Sequence, residues 1–152
     1  MSELQDLYQE VILDHYRRPR NSGTLDHANR HAEGQNPLCG DEVKLWLDVE
    51  DGVVKDVSFT GVGCAISTAS ASMMSEAVKG KRIEEVEALF EKFHKMVAGR
   101  DVVDSEELGK LQALSGVREF PLRVKCATLA WHTMKAALAG ADEVVTTETG
   151  DE

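Results

Sequence analysis

A chain of 152 residues, 42% of them hydrophobic, has the size of one domain that buries roughly two-thirds of its unfolded surface. The net charge is −10 and the pI near 5.0, no basic stripe of a nucleic-acid binder is visible, and the acidity favours solubility and a basic or locally complementary protein partner. No apolar run approaches the roughly 18 residues of a membrane span. The opening Met1-Ser2-Glu3-Leu4 lacks a signal-peptide layout, so the expected location is cytoplasmic. Three cysteines, an odd number, argue against a disulfide framework and leave buried thiols, metal ligands or reactive thiols.

Residues 2 to about 17 read as a helix: Leu4, Leu7, Tyr8, Val11, Ile12 and Tyr16 form one apolar face, and Pro19 stops it. Residues 19 to about 32 are loop-like. A short strand is expected around Glu33-Gly34-Gln35-Asn36. From Glu42 to Glu50, Val43, Leu45, Leu47 and Val49 alternate with polar neighbours, the period of a half-buried strand. Asp51-Gly52 is a type I′ hairpin signal. The return strand, 53–62, places Val53, Lys55, Val57 and Phe59 on one side. Helices follow over residues 65–78 and 83–97, then a shorter one from Asp104 to near Gly116. A last long helix opens at Pro121, a residue suited to a first helical turn. The expected class is α+β: a three-stranded, mostly antiparallel sheet packed on one face by about five helices. Residues 1–140 read as a single domain and 141–152 as an acidic, flexible tail.

Within this frame Pro37-Leu38-Cys39-Gly40-Asp41 stands out. It puts a thiol, a glycine and a carboxylate at a strand-to-strand turn, and Gly40 lets the backbone bend sharply. Cys64 stands at or just before the first turn of a helix, where unpaired N–H groups favour an anionic sulfur. Cys126 falls in the second turn of another helix, preceded by Lys125 and Arg123, cations that stabilise a thiolate. Three thiolates and a carboxylate supply four ligands, the number a tetrahedral zinc wants. Soft sulfur donors suit zinc or iron–sulfur chemistry. The wide separation of the cysteines rules out a CxxC ribbon. The five histidines are expected at the surface or in satisfied positions: His94 and His132 solvent-facing, His31 near enough to the Cys39 turn to watch.

The segments Cys39-Gly40-Asp41, Gly61-Val62-Gly63-Cys64-Ala65-Ile66-Ser67 and Lys125-Cys126, with Asp14-His15-Tyr16-Arg17-Arg18-Pro19-Arg20-Asn21 before them, resemble the U-type iron–sulfur assembly proteins, the IscU/NifU N-terminal-like family. The resemblance runs from about residue 4 to 139. IscU-type scaffolds carry a histidine where this chain has Lys125, and Leu-Pro-Pro-Val-Lys where it reads Phe120-Pro121-Leu122-Arg123-Val124-Lys125. The stretch from about His94 to Gly116 looks like the insertion of SufU-type members.

The resemblance implies a zinc-bound sulfur acceptor, with Cys39, Asp41, Cys64 and Cys126 as ligands and one zinc per chain. It also implies a SufS-type, pyridoxal-phosphate-dependent cysteine desulfurase as partner and downstream iron–sulfur assembly machinery as recipient. Cys39 would be the mobile ligand that takes the persulfide sulfur. Arg123 would hold Asp41 or a neighbouring carboxylate, with Lys125 beside the third cysteine. The alternative is a scaffold that assembles a [2Fe–2S] cluster on the same ligands.

Overall fold

The central strand carries the clearest pattern of the chain. In β2 (Asp41–Glu50) the side chains of Asp41, Val43, Leu45 and Leu47 are buried, while Glu42 and Lys44 between them are exposed. Period-two alternation thus turns one face to the core, and Asp41 lies in phase with the apolar residues. The computed structural model describes residues 3–37, 40–98, 106–140 and 144–146.

β2 pairs antiparallel with β1 (Arg30–Asn36), from Arg30 opposite Leu47 to Asn36 opposite Asp41. It pairs antiparallel with β3 (Val53–Val62) on its other side. Asp51 and Gly52 both have positive φ, 53° and 75°, as the I′ turn requires. The three expected strands are present, and a short β4 (Val144–Thr146) adds parallel to β1, giving the order β3-β2-β1-β4. The expectation of an acidic tail over 141–152 otherwise falls outside the described residues.

Two expectations about the strands are corrected. β1 begins at Arg30, inside the stretch read as loop. Its buried phase is Ala32, Gly34 and Asn36, too small and polar to give a hydrophobic period. In β3 the register shifts at Asp48/Val49, so that Val54 faces Val49, Asp56 faces Asp48, and Lys55 is the extra residue of a bulge. The bulge flips the alternation. Val54 therefore joins Val57 and Phe59 in the core while Lys55 is exposed, not aligned with them as simple period-two counting predicts.

The helices cover one face of the sheet: α1 (Glu3–Arg17), α2 (Ala65–Val78), α3 (Ile83–Ala98), a 3-10 segment (Glu106–Glu119) broken at Gly109, and α4 (Pro121–Leu138). α4 is the central one. Its Trp131 is fully buried and stacks on Phe93 of α3, with ring centroids 4.5 Å apart. α2 approaches closely because its inward residues are small: Ala69, Ser70, Ala71, Ser72 and Ser75 are buried, and Ser70 donates to the Ala127 carbonyl of α4. His94 and His132, expected to face solvent, are half-buried across the α3–α4 seam, their rings 6.0 Å apart and both against Phe90.

The segment 14–21 forms a clasp. His15 is buried with Nδ1 2.7 Å from Ser72 Oγ, and Arg20 pairs with Asp14 at 2.7 Å. Asn21 turns the chain at φ 56°, donates to Ser75 Oγ, and accepts from the Phe59 N–H of β3. This motif fixes the end of α1 to α2 and to the sheet edge.

Sheet and helix layer meet most closely at Gly34. A Cβ there would overlap Thr133 Oγ1 and come within 3.0 Å of Leu129 Cδ1. Gly34→Ala is expected to lower stability by about 1–3 kcal/mol through overpacking, read as a lower midpoint in urea with unchanged slope.

Candidate metal centre

Three elements end at one place. β2 starts with Asp41, α2 is capped by Cys64, and the second turn of α4 presents Cys126. One ligand atom from each of the three lies within 4.8 Å of the other two. Asp41 and Cys126 are buried, and Cys64 opens to solvent. Cys39 lies outside the described residues, as does Leu38. The Gly40 N–H donates to the Asn36 carbonyl at 2.9 Å, with Gly40 at φ 74°, a conformation that a glycine permits.

The local sequence explains each placement. Gly63 precedes Cys64, and a Cβ at Gly63 would overlap the Asp41 carboxylate. Only glycine lets the end of β3 pass this close. Asp41 Oδ1 then accepts the Cys64 backbone N–H at 2.9 Å. Cys64 itself is the N-cap of α2, with φ −73° and ψ 169°, and its sulfur accepts from the Ser67 N–H at 3.4 Å. A cysteine here takes the place of the usual Ser, Thr, Asp or Asn.

The electrostatics follow from this position. The Cys64 thiol is pulled down to about 6, chiefly by its hydrogen bond with Cys126 and also by the Ser67 and Ile66 N–H groups. Burial and the Asp41 carboxylate oppose that shift. The expectation of an acidic thiol at a helix start is thus met, but the largest cause is the neighbouring cysteine.

Asn36 was not singled out by sequence reasoning. It is fully buried at the end of β1, and its Nδ2 lies 3.4 Å from Asp41 Oδ2 and 3.5 Å from Cys126 Sγ. Its Oδ1 is buried without a partner among the described residues. The available signal was a polar amide in the buried phase of Ala32-Gly34-Asn36. Arg123 is exposed, with its guanidinium 5.2 Å over the Phe120 ring. The Asp41 carboxylate instead takes its bonds from Cys64 and Asn36. Lys125 is half-buried beside Cys126. His31 is exposed and paired with Trp46, far up β1 from the turn.

Two sulfurs and a carboxylate oxygen at this separation are a donor set for a thiophilic cation such as zinc, one ligand short of a tetrahedron. Cys39, two residues before Asp41 in the sequence, is the fourth ligand expected from the sequence and lies outside the described residues.

The family model described as "NifU-like N terminal domain" matches residues 7–127. The chain belongs to this family. Among relatives of the NifU-like family, the "Zinc-dependent sulfurtransferase SufU" of Bacillus subtilis is 44% identical over 138 residues, covering 91% of this chain and 93% of that protein. The "Iron-sulfur cluster assembly scaffold protein IscU" of Thermotoga maritima is 47% identical over 132 residues, covering 87% and 92%. A solved structure from Fervidobacterium islandicum AW-1, described as an iron–sulfur cluster assembly scaffold protein for the SUF system, superposes with a TM-score of 0.82. It is 35% identical and covers 88% of this chain and 98% of its own.

The acidity of Cys64 has a direct readout. In the metal-free protein its alkylation by iodoacetamide should be near its plateau rate at pH 7 and fall as pH drops through about 6. Cys126→Ala should move that fall towards the ordinary thiol value of 9.0, because it removes the largest stabiliser of the Cys64 thiolate.

Proposed function

We propose that this NifU-like protein works in iron–sulfur cluster assembly as a zinc-bound sulfur acceptor. In this reading it takes persulfide sulfur from a SufS-type cysteine desulfurase onto Cys39 and relays it. The observation that carries the reading is the meeting of Asp41, Cys64 and Cys126 within 4.8 Å. The likeness to a zinc-dependent sulfurtransferase over nine-tenths of both chains supports zinc as the ion. Bound zinc would keep these thiols deprotonated and shield them from oxidation.

The chain's own residues divide the work. Asp41 and Cys126 are buried and held by hydrogen bonds, so they serve as fixed ligands. Cys39 directly precedes Gly40, whose φ of 74° bends the chain, and in this reading it is the ligand that leaves and returns. A free Cys39 thiolate would attack the outer sulfur of the donor persulfide. The sulfur–sulfur bond breaks, the donor cysteine leaves as its thiolate with the electron pair, and a persulfide forms on Cys39. Docking has a surface to use: Val62, Phe120 and Leu122 are apolar and exposed at 62%, 53% and 57%, on the segments that lead into Cys64 and Cys126.

A second reading has its own support in the scaffold relatives: a [2Fe–2S] cluster built on the same ligands and passed on. Lys125, where IscU-type scaffolds carry a histidine, favours sulfur transfer. Two measurements separate the readings. Protein purified with zinc available should hold close to one zinc per chain. Cys39 should gain one sulfur, detected by mass spectrometry, after incubation with the desulfurase and cysteine, and Cys39→Ala should abolish stimulation of desulfurase turnover. Unchanged stimulation by Cys39→Ala would reject Cys39 as acceptor. A stable cluster that excludes zinc would favour the scaffold.

A further inference from the structure

The structure assigns Asn36 as a positioning residue for the metal centre: its side-chain amide holds the Asp41 carboxylate and the Cys126 sulfur in one geometry. This inference rests on the zinc-site reading above and deepens it, since none of the four proposed ligands explains why an asparagine is buried among them.

The geometry makes one orientation of the amide compulsory. Asn36 is 0% exposed, and the two atoms facing its Nδ2 are Asp41 Oδ2 at 3.4 Å and Cys126 Sγ at 3.5 Å. An ionised carboxylate only accepts hydrogen bonds, and so does a metal-bound thiolate. Turning the amide over would set its carbonyl against both. The NH₂ group has two hydrogens for these two acceptors, and the carbonyl lies on the other side, buried and without a partner among the described residues.

The same residue works through its backbone. Asn36 pairs with Asp41 across the β1–β2 ladder, and its carbonyl accepts the Gly40 N–H that closes the turn. Asn36 thus connects Gly40, the carboxylate of β2 and the sulfur of α4. An N–H donor also draws charge from sulfur and lowers its nucleophilicity. Cys126 is held as a ligand in this way and not as a sulfur acceptor.

Zinc affinity, measured by chelator competition, is the test. Groups that orient metal ligands typically change affinity 10–100-fold, so Asn36→Leu, similar in shape but without donors, and Asn36→Ala should bind zinc at least about tenfold more weakly. Cobalt-loaded variants should show altered sulfur-to-metal charge-transfer bands, which a loss of packing alone would not produce. Circular dichroism of the metal-free variants checks folding. If the variants do not fold, the wild-type protein decides by NMR. The chain has three asparagines, Asn21, Asn29 and Asn36. On zinc loading the Asn36 side-chain amide should shift and exchange slowly, with Asn21 and Asn29 as internal controls. Equal zinc affinity in wild type and folded variants, or an Asn36 amide indifferent to zinc, overturns the inference. A wild-type protein that binds no zinc instead overturns the reading on which it rests.

Discussion

The Asp41 carboxylate lying against the Cys64 backbone N–H is the contact on which the site depends. It joins the start of one strand to the first turn of a helix at 2.9 Å. It forms only because Gly63 lacks a side chain where the Asp41 carboxylate sits. A carboxylate buried at 1% exposure needs such a partner, since unpaired burial of its charge is costly. The hydrogen bond therefore satisfies Asp41 and at the same time sets the distance between two ligands on different elements. Sheet register carries Asp41 to this point, and small residues on α2 let Cys64 come near enough to meet it.

The three described donors differ in the freedom they have. Cys126 lies inside a helix packed on the sheet, and Asp41 is at the end of a strict strand ladder. Cys64 is exposed and caps a helix, with its sulfur set by a backbone N–H. Two donors are thus held on regular elements, and the third stands at a helix start open to solvent. That helix start is also a place where a partner's side chain has access, because Cys64 lines a groove with Tyr8, Ile66 and Leu122 that opens to the surface.

Much of this was legible in the chain. The alternation of Val43, Leu45 and Leu47, the Asp51-Gly52 turn and Pro121 state their structures locally, so those elements match expectation. Cys64, Cys126 and Asp41 stand at or near element ends, positions that follow from those elements. Three things were not legible. β1 extends to Arg30 because pairing with β2 supplies its stability, while its own inward residues are small. The face of Val54 depends on a bulge set by the pairing of two strands, which single-strand periodicity does not contain. Asn36 is recognisable only once α4 has brought Cys126 to it from 90 residues away. The clasp of His15, Arg20 and Asn21 was visible as a motif, but its purpose, fastening α1 to α2 and β3, needed coordinates.

β2 runs ten residues from Asp41 to Glu50, about 30 Å of extended chain. The Asp51-Gly52 turn is therefore at the opposite pole of the sheet from the thiols. Anything attached there, whether a fluorophore, an affinity handle or a tether to another protein, leaves the reactive pole clear. The protein thus has a blunt end by which it can be held and a working end by which it is read.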